Sequence, residues 1–340
     1  MSFTRLDPTD FVVSTDSVTA PAWSNNVTIL SSFFTASAST TGSYYLNVYN
    51  TAVTSTGSAV QFALAYGHYA GSGSTPLNTL VPGNTPTRIT FGQYRNLIYG
   101  DAESNVNFGG LNTASVDLIA VQVDRNRYKE SLFPGTFNLT LSGSRYLYLT
   151  DNSNQVSTVN YVDGGRVFDI ISGSNGVATT ASPLSGGTKG YTASGSYGLY
   201  LPDIGLILLN PRALAMPQAS GGLDLNLSTN ANSGSYNQEN IFQVINNGQR
   251  FALNSQETVS SDYVFVRIKN QDYNYTTNPS FISGSTGTLI YSNFINSPQT
   301  FPTTVGLYND NNELLAVAKL SQPLTKDFTK EALIRVKLDW

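Results

Sequence analysis

The side chains able to do chemistry are few and scattered. A single histidine, His68, stands in AYGHYAGSGS. One imidazole excludes a histidine-based metal cage, and any Ser-His-Asp arrangement would have to be built on that residue. It falls where a strand runs out into a Gly/Ser loop, so its expected role is that of a surface or loop-anchoring histidine. The absence of cysteine excludes disulfides and thiolate metal sites and leaves the redox compartment open. No G-x-S-x-G elbow, no Walker-type phosphate loop and no G-x-G-x-x-G after a strand occurs. Two carboxylates facing each other across a groove at about 5 to 10 Å would permit glycoside hydrolysis. The candidates Asp101, Glu103, Asp117, Asp124, Glu130, Asp163, Asp169 and Asp203 are scattered along the chain, and linear spacing does not give their separations in space. Asp163 in VDGGR and Asp310 before Asn311 read as turn formers. The run Asp310 to Glu313 lacks the length and acidic periodicity of a calcium loop. The chain therefore reads as non-enzymatic, with no catalytic, cofactor-binding or metal-ligating residue and no cofactor.

Two clusters suit contact with another protein. DRNRYKE concentrates Arg125, Arg127, Tyr128, Lys129 and Glu130 directly after a strand. It is either a docking site for an acidic partner or a solvated strand-end turn. Tyr273 and Tyr275, in DYNYTTNPSF, follow a strong strand and serve either as a lid over the core or as interface anchors. Arg125, Arg127, Tyr128, Lys129, Tyr273 and Tyr275 are thus the candidate interface residues.

The elements that position these groups follow from composition. Of 340 residues only 12% are charged, against about 25% in ordinary domains. Ser, Thr, Asn and Gly take their place, with 20 Tyr and 17 Phe, a mixture that favours strands and turns. A surface this poor in charge suits a protein whose faces become covered. The net charge of -4 argues against nucleic-acid binding, which requires a basic face. The N-terminus, MSFTRLDPTDF, lacks the regions of a signal peptide, and the most apolar stretch, Leu199 to Leu209, is short and broken by Pro202 and Asp203, so neither export nor membrane insertion is expected. On that reading the sequons at Asn26, Asn138, Asn226 and Asn274 are products of composition.

Many short runs alternate at period two between turn-forming clusters, which predicts a mainly β, β-rich α+β chain of antiparallel sheets or sandwiches with a few short helices. Val264, Val266 and Ile268 share one face of a strand. Ala332, Ile334, Val336, Leu338 and Trp340 share one face of another. Asn309 to Asn312 form the turn of a hairpin between Val305 and Lys319. Further strands are expected from Tyr44, Ala59, Asp117, Phe137, Arg145 and Arg166. Thr87 is placed as the cap of a helix bearing Tyr94, Leu97 and Ile98 and closed by Gly100. A capping-box pattern at Ser235 to Gln238 opens a second helix with Ile241, Phe242, Val244 and Ile245, ended by Gly248. A single helical turn follows Asn210, with Pro211 in its first position. Gly/Ser-rich stretches mark loops, and the best linker candidate is 176–197. It separates a domain at 61–175 from one at 198–340, after an extended N-terminal segment at 1–60.

The stretch from Thr303 to Trp340, TTVGLYNDNNELLAVAKLSQPLTKDFTKEALIRVKLDW, resembles the ending of virion structural proteins of contractile-tailed bacteriophages, especially those of cyanobacteria. FALAYGHYAGSGS with TRITFGQYRNLIYG, VDRNRYKESLFPGTFNLTLS, YGLYLPDIGLILLNPRAL and VRIKNQDYNYTTNPSF are similar to successive blocks of the same family, so the resemblance runs from about Phe62. It implies a subunit of the virion tail, at the baseplate or its wedges, assembled in the host bacterial cytoplasm. The implied partners are other tail and baseplate subunits, including copies of itself. A receptor-binding tail fibre or lectin-like module, a polysaccharide-degrading spike and a capsid or decoration protein remain as alternatives.

Overall fold

Alternating and continuous apolar runs become strands along most of the chain, giving 40% strand against 17% helix and placing the protein in the mainly β class expected. The large antiparallel sheets include a curled half-barrel. This computed structural model describes residues 4–35, 45–76, 84–101, 104–109, 114–179, 189–229, 236–275 and 279–339. No described helix is long and apolar enough to cross a membrane. The chain divides into two compact units, one Ser17–Glu257 and the other Met1–Asp16 with Thr258–Trp340.

That division differs from the expected one. Phe168 and Ile170, before the stretch 176–197, pair with Tyr200 and Gly198, after it, within one sheet. Residues 1–60 are not separate either, since Phe34 pairs with Tyr49 and Leu46 with Leu64. A Gly/Ser-rich loop between paired strands has the composition of a linker, but the strands on either side carry complementary apolar faces that only pairing buries. Residues 180–188 of that stretch lie outside the described residues.

The larger unit is organised by one antiparallel sheet. Its central strands run Asn138–Ser142, Tyr146–Asp151, Gly165–Ser174, Gly198–Leu201, Leu206–Leu209, Asp117–Val123, Val60–His68 and Tyr45–Tyr49, each hydrogen-bonded to the next. Beyond Asn138–Ser142 the pair Phe251–Ala252 joins, followed by Ile29–Leu30. LIAV and LILL read as unbroken apolar runs because both faces of this sheet are covered. Leu118, Ala120, Leu206 and Leu208 enter one core cluster. Ile119, Val121, Ile207 and Leu209 enter the other. In the second cluster Phe251 contacts the rings of Trp23, Phe62 and Phe137 at centroid distances of 4.8, 5.3 and 5.9 Å. The Trp23 indole N–H is satisfied by the Phe251 carbonyl at 2.8 Å, so the large ring is buried without an orphan donor.

Helix α1, Pro86–Tyr99, covers the first face with Phe91 and Ile98. Its cap is Thr85, whose hydroxyl accepts the Arg88 N–H, rather than the expected Thr87. Proline at the first helical position makes the residue before it the cap. Thr87, Arg95 and Ile98 are buried, whereas Leu97 is 42% exposed. Gly100, at φ 71°, closes the helix as expected. The helix comes so close to the sheet that a Cβ on Gly67 would lie 2.8 Å from the Phe91 backbone nitrogen. Helix α2, Pro211–Ala215, is capped by Asn210 as expected. Helix α3, Asn237–Gly248, buries Ile241, Phe242 and Ile245. The chain leaves α3 through Gln249, at φ 51°, rather than through Gly248. Ser235 of the expected capping box lies outside the described residues.

In the smaller unit, residues Ser261–Ile268 of the long strand Asn254–Ile268 pair with the last strand, Ala332–Asp339, setting Val264 against Val336, Val266 against Ile334 and Ile268 against Ala332. The hairpin Thr304–Tyr308 and Leu314–Lys319 packs Val305, Leu307 and Ala318 against that face. Both strands and the hairpin are as the alternation predicted; Trp340 lies outside the described residues. The hairpin turn is held by Asn309, whose side-chain oxygen accepts the N–H groups of Asn311 and Glu313.

Candidate functional site

His68 ends its strand, and its Nδ1 accepts the N–H groups of Ala70 at 3.1 Å and Ser72 at 3.4 Å. It is the loop anchor expected, and burial lowers its pKa, matching an unprotonated acceptor nitrogen.

DRNRYKE begins with Asp124 capping a single 3-10 turn, Arg125–Arg127. Arg125 donates to the Tyr128 carbonyl at 2.6 Å and lies over the Tyr128 ring, 4.6 Å from its centroid. Tyr128 itself is buried, its ring packed where a Cβ on Gly205 would meet it at 2.7 Å. It is a core residue, which leaves Arg125 and Lys129 as the exposed part of the cluster, with Arg127 half-buried and its Nε withdrawn from solvent. Lys129 pairs with Glu257 at 3.2 Å, the lysine exposed and the glutamate partly so, an arrangement of little energetic weight. Tyr273 and Tyr275 belong to the other unit. Tyr273 shares a hydrogen bond with the Thr4 hydroxyl at 2.8 Å and packs on the core of that unit, while Tyr275 is 67% exposed.

Most of the carboxylates are structural. Asp203 forms an ion pair with Arg166 at 2.6 Å. Asp169 accepts from the Tyr191 hydroxyl at 2.8 Å. Asp101 binds the backbone and hydroxyl of Ser104. The Asp163 N–H donates to the Ile98 carbonyl. Glu103 lies outside the described residues. Asp117 is different. It is 6% exposed, its Oδ2 accepts the Tyr66 hydroxyl at 3.1 Å, and its Oδ1 has no hydrogen-bond partner among the described residues. Burial raises its pKa against the lowering effects of the Tyr66 hydrogen bond and the Arg212 charge. The same burial and the neighbouring carboxylate raise that of Tyr66.

Asp117 lines a groove of about 420 Å³ whose other walls are Pro211, Arg212 and Ala215 of α2 and the segment Asp224, Leu225, Asn226, Leu227 and Thr229. Local sequence builds these walls. The Asn210 side chain accepts from the N–H groups of Arg212 and Ala213 and donates to the carbonyls of Ser194 and Ser196, fixing the start of α2. The N–H groups of Leu223 and Leu225 donate to the Leu214 carbonyl and that of Asp224 to Met216, which stitches the opposite wall to the helix. Asp224 takes φ 53° there, a conformation Asp tolerates better than most residues. The groove thus gathers two carboxylates, one guanidinium and a short aliphatic wall. A hollow of about 620 Å³ elsewhere is lined, among the described residues, by the exposed Arg5, Leu6, Asp7 and Pro8, which offer no converging chemistry.

Among the described residues, no group of three or more His, Asp and Glu side chains converges as metal ligands would. Asp117 was one of the dispersed carboxylates in the sequence. Asp224 was not singled out, because it reaches the groove on a segment with no pattern of its own; Asn226 was noted only as a sequon, and Arg212 stands in the short helix α2 without a motif around it. No protein-family model, no curated protein and no solved structure matches this chain.

Proposed function

We propose that the chain is a non-catalytic structural subunit that acts by permanent assembly with other protein subunits. The observation that supports this is the strand Phe11–Pro21. It stands at the edge of its sheet, pairing among the described residues only with Asn254–Ile268. The consecutive residues Phe11, Val12 and Val13 are 48%, 47% and 57% exposed, so both faces of the strand carry uncovered apolar side chains. A protein that remains free in solution blunts such an edge with lysine, proline or a bulge. Here the strand has only Asp16 as a charge and proline only at its end. An added strand from a neighbour would complete the backbone hydrogen bonds and bury those side chains at about 25 cal/mol per Å² of apolar area.

The finer reading rests on the sequence resemblance. It makes the chain a tail or baseplate subunit of a contractile-tailed phage virion, assembled in the host cytoplasm, whose partners are other tail subunits and copies of itself, with no nucleic acid and no membrane insertion. Antibody labelling of the particles, imaged by electron microscopy, tests the location, and labelling confined to the head or absent from the particle would overturn it. Val12→Lys with Val13→Lys tests the strand. The double variant should fold with a nearly unchanged melting temperature and be depleted from particles, and normal incorporation would remove the edge from the assembly.

A further inference from the structure

We infer that the face of α1 bearing Arg88 and Arg95 is a binding site for a carboxylate, with Arg95 as the principal contact. This goes beyond the assembly reading and does not depend on it. The first argument is charge. Between Asp16 and Asp101 the chain carries no acidic residue and two basic ones, Arg88 and Arg95. Neither forms an ion pair among the described residues, and Asp101, the nearest carboxylate along the chain, is engaged by Ser104. The second is burial. Arg95 is 9% exposed, and its guanidinium lies over the rings of Tyr69 and Phe91, 5.7 and 5.5 Å from their centroids. Ring contacts offset part of the cost of withdrawing a charge from water, and an anion offsets more. Its Nε is closed off without a partner, whereas the two terminal nitrogens, also without a hydrogen bond among the described residues, are not closed off. A ligand meets the guanidinium at that end, next to the 56% exposed Tyr69.

The third argument is shape. Arg88, Gly92 and Arg95 fall on one stripe of the helix. A Cβ on Gly92 would have nothing within 4 Å, so the stripe is notched between its two charges. The loop after His68 runs beside it: Tyr69 contacts Phe91 and Arg95, and a Cβ on Gly71 would meet that of Arg88 at 3.3 Å. The class of anion follows from the donors. In the first turn the N–H of Thr87 goes to Ser74, and those of Arg88 and Ile89 go to Thr85. In the loop the N–H groups of Tyr69, Ala70, Gly71 and Ser72 go to Val116 and His68. That leaves no backbone cradle for a phosphate. The end of the guanidinium presents two parallel donors, which match the two oxygens of a carboxylate.

The carboxylate has two sources to separate, a free organic acid and an acidic side chain of another protein. Acetate and an acetylated, amidated tetraglutamate peptide represent them. Titrating either into the full chain at constant ionic strength should move the Arg95 Nε–Hε and Tyr69 ring resonances saturably, and the tighter probe per carboxylate identifies the source. Gly92→Glu sets a carboxylate one turn from each arginine and should weaken peptide binding by about tenfold or more. Gly92→Gln, of the same length without the charge, should change it by less than about twofold. Arg88→Gln should weaken it by roughly two- to fivefold, the scale of an exposed charge near the ligand. Arg95→Met, followed on Tyr69, should weaken it by about tenfold or more, the scale of a charge-assisted hydrogen-bonded pair. If Arg95→Met does not fold, the two Gly92 variants and Arg88→Gln carry the test, since Arg88 is exposed and Gly92 has room. The absence of a saturable shift with either probe would mean that the two rings alone hold the guanidinium, and it would overturn the inference. Equal affinity in Gly92→Glu and Gly92→Gln, or tighter binding of inorganic phosphate than of both probes, would overturn it equally.

Discussion

The Nζ atom of Lys326 lies 2.8 Å from Oδ1 of Asn274, at the end of a side chain with no exposure to solvent. Its other two hydrogens go to the carbonyls of Asn270 and Asp327, both at 2.8 Å. Three donors meeting three acceptors is what makes a buried ammonium tolerable. Lys326→Met keeps the stem and strips all three bonds. It should lower the stability of the smaller unit by about 3 kcal/mol or more, the scale of hydrogen bonds to a charged group whose partners are left buried. Urea denaturation reads this directly, and an unchanged midpoint would reduce the lysine to a space filler.

His68 gives a pH dependence of definite sign. Its Nδ1 is an acceptor, and burial depresses its folded-state pKa below the ordinary 6.5. Protonation therefore favours the unfolded chain. The contribution of the anchor is complete above the unfolded value of about 6.5 and is lost as pH falls through the folded-state value. The imidazole should titrate below 6.5 by NMR, and the stability gap between wild type and His68→Phe should be largest at high pH and shrink as the solution is acidified. A midpoint at or above the ordinary value would contradict this geometry.

Two glycines near α1 should respond in opposite directions. Gly67→Ala drives a methyl group to 2.8 Å from the Phe91 backbone and should cost about 1 to 3 kcal/mol, as overpacking does. Gly92→Ala, within the helix and with nothing inside 4 Å of the new carbon, should stabilise by about 0.5 to 1 kcal/mol through helix propensity. Thermal unfolding of the pair is the measurement.

The basic cluster divides in the same manner. Arg125→Glu loses a hydrogen bond and the contact with the Tyr128 ring, so it should lower stability by about 1 kcal/mol. Lys129→Glu breaks only a pair open to solvent and should leave the melting temperature nearly unchanged. If this cluster docks on another subunit, Lys129→Glu alone should deplete the chain from particles, and normal incorporation would retire the cluster as an interface.

What was legible in the sequence was whatever a single side-chain period decides. Val264 to Ile268 and Ala332 to Leu338 alternate because one face is buried, and the structure pairs those two strands. The class of fold followed from the same reasoning. The Thr85 cap was missed because two threonines flank Pro86, and only the rule that proline takes the first helical position separates them. Tyr128 looked like an anchor because it stands among charges, yet the absence of a side chain at Gly205 opens a seat for its ring. The groove was least legible. Asp117 is distinguished from its neighbours by a missing partner, a property of three-dimensional packing, and Asp224 and Asn226 arrive on a segment positioned by the carbonyls of α2 rather than by its own residues.

The pairing of Phe251 with Leu30 and of Ala252 with Ile29 governs when the larger unit is able to form. Strands from its first and last stretches of chain are neighbours, and Phe251 also supplies the ring against which Trp23, Phe62 and Phe137 pack. During synthesis, everything from Trp23 onward must wait until Phe251 has left the ribosome before that aromatic cluster closes. Such distant pairings place this unit among slow-folding topologies, with apolar strands open to premature association in the interval.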